Sequence, residues 1–303
     1  MPKVVKQSSE WDYKVNTRRL WDLTDEQIAL LEDNKAKPTF SGVFGNFRDG
    51  VPTALGSCTE RYEVVNNGDL HGVVDGTLDK HPSLKNYEKR VTVIGNGERV
   101  YTQYTWKDSD FNFRVGNPKV GDEMGLRLTV KNSFDRSLRL SVALGFLRLV
   151  CTNGMTALEK EFDLTRRHQS GVDISFLSEG IDGALGKISK QREMFNTMAS
   201  KEISEEQGVS LLNGMVRKGI LASSQRDSVE AIWHDPSYDE DKSRNVYNLL
   251  NAGTQHITRV IEPKRFEQAQ RMTTDMTKAL FNASRKESAF ESLLLPVKEV
   301  ANN

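Results

Sequence analysis

The sequence predicts an α+β fold: a twisted antiparallel β-hairpin sheet in the N-terminal half packed by helices, then a mostly helical C-terminal half. Three observations carry that expectation. Apolar and polar residues alternate between Leu126 and Phe146, the period of a half-buried strand. Gly95-Asn96-Gly97 separates two runs rich in Val, Ile, Thr and Tyr, a hairpin signal. Beyond Gly171 the apolar spacing changes to three and four, which is helical.

Taken in order, residues 1–19 are polar with a few aromatics and read as an N-terminal arm. Thr24-Asp-Glu-Gln27 is a capping box opening a short helix with Ile28, Leu30 and Leu31 on its apolar side, closed by Pro38. Strands are expected at Phe40–Phe44 and Leu55–Val65, with Arg48–Pro52 as the turn between them. Leu70–Leu78 fits a strand or a short helix. Val91–Ile94 and Arg99–Trp106 form the hairpin, with Asn96-Gly97 suited to a tight primed turn. Phe111–Val115, Leu126–Lys131 and Ser137–Phe146 follow as strands. Pairing residue 130 with 138 puts Leu126, Leu128, Val130, Leu138, Leu140 and Val142 on a core face. Arg127, Thr129, Lys131, Arg139 and Ser141 then share a polar one. Ile181 to Met198, Val209 to Val216 after the capping box Ser204-Glu-Glu-Gln207, Ser228–Trp233, Val246–Val260 and Phe266–Leu280 read as helices. Asp239 to Ser243 reads as a solvated loop. These divide the chain into an arm (1–19), an α+β core (20–175), a helical region packed on or extending it (176–290), and a tail (291–303).

Composition excludes several classes. Lys+Arg and Asp+Glu both total 42, so overall charge draws the chain to neither nucleic acid nor an anionic membrane, and any electrostatic role must come from local clustering. Cys58 and Cys151 alone make no disulfide framework, which points to a reducing, cytoplasmic setting. No apolar run approaches the roughly 18 residues of a membrane span, and the N-terminus lacks a signal-peptide core.

No phosphate-binding loop or dinucleotide fingerprint is present, because Gly95-Asn96-Gly97 lacks the third glycine and the helix that must follow. His71, His81, His168, His234 and His256 are scattered without metal-ligand spacing, so neither a metal nor a cofactor is expected. A Cys151 nucleophile with His168 as base is the enzymatic alternative. Cys151 follows an apolar strand, however, where a lone cysteine usually packs as a small hydrophobe. The stronger signal is basic clustering: residues 126–168 carry eight cations against four carboxylates. Lys190 and Arg192 follow on a helix. Tyr101, Tyr104, Trp106, Phe111 and Phe113 stand nearby as stacking platforms for bases. The plainer alternative is a solvated face with those aromatics in the core.

Asn132-Ser-Phe-Asp-Arg-Ser137, Phe146-Leu-Arg-Leu-Val-Cys-Thr-Asn-Gly-Met155 and Arg167-His168 resemble the signature of a phage- and plasmid-encoded family, the domain of unknown function 932. Leu55–Asn66 and Val246–Thr254 fit it too, so the similarity spans roughly Gly42 to Ser284. Phe134 stands where that turn usually has His, and Arg136 where it usually has Gly. The resemblance implies a phage gene expressed in host cytoplasm. Cys151, Thr152, Asn153 and Gly154 form the signature turn, read physically as a strand end leading into a helix at Met155, Leu158 and Phe162 with Arg166 to His168 near its end.

The expectation is a non-enzymatic, phage- or plasmid-encoded DNA-binding protein, able to form a homo-oligomer, that binds or anneals single strands in recombination or replication. Its candidate contacts are Arg127, Lys131, Arg139, Arg148, Arg166, Arg167, His168, Lys190 and Arg192. The alternative is a protein-interaction component, such as a host-defence antagonist or a virion-associated protein.

Overall fold

The computed structural model describes residues 3–5, 10–19, 41–45, 53–59, 61–116, 122–149, 154–156, 163–186, 188–262 and 265–294. The expected helix at 24–31, the turn at 48–52 and Cys151 to Asn153 lie outside the described residues. Strands β1 (Lys3–Val5), β2 (Val15–Arg19), β3 (Ser41–Gly45) and β4 (Thr53–Cys58) come first, then helix α1 (Asn67–Leu78). They are followed by β5 (Glu88–Ile94), β6 (Arg99–Trp106), β7 (Phe113–Val115), β8 (Asp122–Ser133), β9 (Leu140–Arg148), β10 (Gly154–Thr156) and β11 (Asp163–Arg166). The helices α2 (Phe176–Leu185), α3 (Ile188–Ser200), α4 (Glu205–Arg217), α5 (Ser223–His234), α6 (Val246–His256), α7 (Phe266–Arg285) and α8 (Glu287–Leu294) complete an α+β fold. The larger sheet has the order β1-β5-β6-β8-β9-β10, with β7 on β8 and β11 on β9; β2-β3-β4 form a smaller one.

The chain divides into two compact units. Unit 1 is Met1–Trp106, Arg127–Leu144 and Lys160–Ala184, and unit 2 is Lys107–Leu126, Gly145–Glu159 and Leu185–Asn303. In unit 1, Tyr13, Val43, Leu55, Tyr62, Val91, Val100 and Phe134 share one buried cluster. Helix α1 buries Leu70, Val74 and Leu78, and α2 buries Phe176, Leu177 and Ile181. In unit 2 the core is helical, with Leu211, Leu212, Met215, Trp233, Leu249, Leu250, Met276 and Leu280 all buried. A chain of rings, Phe113–Phe146–Phe195–Tyr247, runs through that unit at centroid separations of 4.8, 6.3 and 6.1 Å.

Several elements differ from expectation. The Gly95-Asn96-Gly97 turn is a four-residue loop, since Ile94 pairs with Arg99. Its positive φ angles fall on Gly95 (72°) and Gly97 (107°) rather than on Asn96. Part of the arm is built in, because Lys3–Val5 pairs with β5. Of the helix expected after the signature turn, Met155 lies instead in β10 and Arg166 in β11, while Leu158 and Phe162 lie outside the described residues. Gly154 pairs with Leu147 and Asp163 with Ala143, so β10 and β11 satisfy backbone groups that β9 would otherwise leave unpaired. The capping box forms as the sequence reads: the Gln207 amide donates to Ser204 Oγ at 3.1 Å, and the Ser204 amide to Gln207 Oε1 at 2.8 Å. Helix α8 reaches Leu294, into the segment expected as a tail.

Candidate functional site

The polar face expected on β8 and β9 is not an open cationic surface. Thr129 and Ser141 are buried. Arg127 and Lys131 are half-buried, and Arg127 Nε donates to Thr105 Oγ1 at 3.3 Å. Of the expected stacking platforms, Tyr101, Tyr104, Trp106 and Phe113 are buried and Phe111 is half-buried. The plainer alternative, aromatics in the core, describes them.

Cations converge instead where three loops of unit 1 meet, around a cavity of about 410 Å³. Its walls carry Arg61, Arg136, Arg139 and Arg167, with Tyr62 and His168 beneath them. The first loop, Thr59–Tyr62, leaves the buried end of β4. The second, 134–139, joins β8 to β9. The third, 167–169, follows β11.

Each loop is held by specific bonds. Asn132 anchors the start of the second, donating from Nδ2 to the Val65 carbonyl and to Asn67 Oδ1, both at 2.8 Å. Ser133 Oγ bridges the Leu138 amide and carbonyl at 3.0 Å, closing the turn. Asp135 accepts from the Ser137 amide at 2.9 Å and lies 3.4 Å from Arg99. Phe134 fills the core below with none of its side chain exposed. Arg136 takes φ 64°. A non-glycine residue in that region costs on the order of 1 kcal/mol. Gly56 lets this turn approach β4, because a Cβ there would sit 2.9 Å from Asp135 Cα. The first and third loops are clipped together: the Ser170 amide donates to the Arg61 carbonyl at 2.9 Å and the Gly171 amide to Glu63 Oε2 at 2.6 Å.

His168 is 9% exposed and stacks on Tyr62 at 5.5 Å and 27°. Burial pulls its imidazole below the usual histidine range, so it is neutral near pH 7. A hydrogen bond with the Glu63 backbone acts the other way and raises it in part. Tyr62 donates to the Ser133 carbonyl at 3.2 Å, and burial pushes its phenol upward. Arg61, Arg136, Arg139 and Arg167 are exposed, and no carboxylate among the described residues pairs with them. A guanidinium fork matches a phosphate in two-point geometry, so four around one concavity favour a phosphate ligand.

A second cavity of about 360 Å³ adjoins the first in sequence, sharing Arg167 and Gln169 and adding Arg166, Asp173 and Glu179. Arg166 lies over the Phe176 ring at 4.9 Å.

The remaining candidates are elsewhere. Arg148, expected to face phosphate, has 0% side-chain exposure in unit 2. Its Nε meets Asp122 Oδ2, its Nη1 lies 2.8 Å from Asp241 Oδ2, and its guanidinium lies 5.5 Å from the Tyr238 ring centre. Tyr247 donates to Asp122 at 2.9 Å, and Asn251 to Asp241 at 2.9 Å. Asp241 is thus buried, not part of a solvated loop. A charge so enclosed and doubly paired cannot also reach a surface ligand. Lys190 and Arg192 are exposed on α3 of unit 2. Gly154 opens β10, while Cys151, Thr152 and Asn153 lie outside the described residues. Sequence reasoning did not name Arg61, Tyr62 or Arg136 as contacts, although all three sit in stretches that carry the family resemblance.

No group of three or more His, Cys, Asp or Glu side chains placed to hold a metal ion occurs among the described residues. No helix among them is long and apolar enough to cross a membrane. The model of the family described as Domain of unknown function (DUF932) matches residues 54–286, so the chain belongs to that family. No curated protein and no solved structure matches it.

Proposed function

We propose that this DUF932 member binds single-stranded nucleic acid by drawing backbone phosphate into the arginine cavity of unit 1. The observation behind the reading is that cavity: four arginines without carboxylate partners among the described residues, gathered around a concave site of about 410 Å³. Net charge is zero, so this local concentration is where attraction for a polyanion would arise. A concave site of this size admits a nucleotide of a flexible strand, whereas a stiff duplex presents its phosphates on a convex surface. Base stacking on the β6 and β7 aromatics forms no part of the reading, because those rings are in the core. DNA as the ligand, and a role in annealing or recombination, rest on the phage- and plasmid-like character of the resemblance.

Fluorescence anisotropy with a labelled 20-nucleotide strand and the matching duplex, at about 50 mM salt, tests this directly. Saturable binding of the strand, stronger than of the duplex, is expected. Absence of binding at that salt contradicts the proposal, and a stoichiometric protein partner recovered without nucleic acid favours the protein-interaction alternative.

A further inference from the structure

We infer that the arginine cavity reads strand ends, seating a terminal phosphomonoester rather than an internal phosphodiester; this rests on the nucleic-acid reading above. Charge is the first reason. An internal phosphodiester carries one negative charge and two free oxygens. A terminal phosphomonoester carries about −1.5 to −2 near neutral pH and three acceptor oxygens. Arg61, Arg136, Arg139 and Arg167 around one concavity exceed either charge, but a terminal phosphate neutralises up to about twice as much of it as an internal one and offers three oxygens instead of two. Among the described residues the carboxylates beside these loops are otherwise engaged: Glu63 accepts the Gly171 amide, Asp135 is held by Ser137 and Arg99, and Asp173 accepts the Ser175 amide.

Connectivity is the second reason. An internal phosphate must be reached by two chain segments, one entering and one leaving. Loops 59–62, 134–139 and 167–169 wall the cavity and are tied to one another by the Ser170–Arg61 and Tyr62–Ser133 bonds. A strand end needs a single approach.

His168 is the third. It is nine-tenths buried and lines the cavity. A seated phosphate gives this buried ring a polar neighbour on its cavity side. Tyr62 fixes the ring from one face, at 5.5 Å, so the ring is oriented before any ligand arrives.

The test uses the full chain and 20-nucleotide strands of one sequence carrying a 5′-phosphate, a 3′-phosphate or hydroxyls at both ends. Inorganic phosphate and a nucleoside 5′-monophosphate serve as competitors. At least tenfold tighter binding of one phosphorylated strand is expected, with the 5′ and 3′ arms fixing the polarity. That preference should collapse in Arg167→Gln and in His168→Asn, checked for folding by circular dichroism; exposed Arg167 makes the first variant safe for the fold. Equal affinity for phosphorylated and hydroxyl ends overturns end reading while leaving strand binding intact. Failure of every strand to bind overturns the underlying function instead. A mononucleotide that binds as tightly as the phosphorylated strand overturns the strand as ligand and makes the free nucleotide the source.

Discussion

Arg148 and three of the four cavity arginines come from the same basic stretch of sequence, yet they occupy opposite environments. Arg148 ends β9 with no exposed side-chain surface, between Asp122 and Asp241, the latter 93 residues further along the chain. Arg136, Arg139 and Arg167 stand in solvent with no carboxylate partner among the described residues. Counting cations along the sequence cannot separate the two cases, because the partners arrive from distant segments. The buried arginine is neutralised within unit 2; the exposed ones stand in solvent with no carboxylate pair among the described residues.

Substituting Arg148 by Met should have the largest effect. Removing one partner leaves two buried carboxylates without their counter-charge, a loss of about 3–5 kcal/mol, read by urea denaturation. Strand binding per folded molecule should stay at the wild-type level. A loss below about 1 kcal/mol would place Arg148 with ordinary surface residues.

Acid should weaken unit 1 next. Burial and neighbouring Lys89 pull the His71 imidazole from 6.5 to about 3. The folded state therefore holds it neutral while the unfolded chain protonates it below about 6.5. Its contribution is complete above that pH and declines by up to about 1.4 kcal/mol per unit as pH falls towards 3. His71→Gln should flatten that part of the stability profile in a thermal-melt series between pH 7 and 4; an unchanged profile would remove His71 as the cause.

Arg136→Gly separates stability from binding most finely. Glycine relieves the φ of 64° and should raise stability by about 0.5–1 kcal/mol. It also removes one cation from the cavity and should weaken strand binding several-fold. A variant that is both less stable and equally good at binding contradicts the assignment of Arg136 to the site.

The α+β class, the β5–β6 hairpin, the Ser204 capping box and most helices were legible because each depends on local periodicity or on residues three apart. The β10 and β11 strands were not, since their pairing answers the needs of β9, remote from their own sequence. The same holds for the site. Arg139, Arg167 and His168 could be named from local charge and family resemblance. Arg61 and Tyr62 join them only through contacts more than 70 residues apart, such as Tyr62 to Ser133 (71 residues) and Arg61 to Ser170 (109 residues). Local charge also misplaced Arg148, whose carboxylates no window around it contains.

The most direct test compares the salt dependence of strand binding for the wild type and the Arg136→Gln, Arg139→Gln, Arg167→Gln triple variant. Each phosphate neutralised on a single strand contributes about −0.7 to the slope of log K against log salt. If these arginines make the contacts, the triple variant should lose about 2 units of slope and bind far more weakly, while melting within about 1 kcal/mol of the wild type. An unchanged slope and affinity would mean that nucleic acid, if bound at all, is held elsewhere.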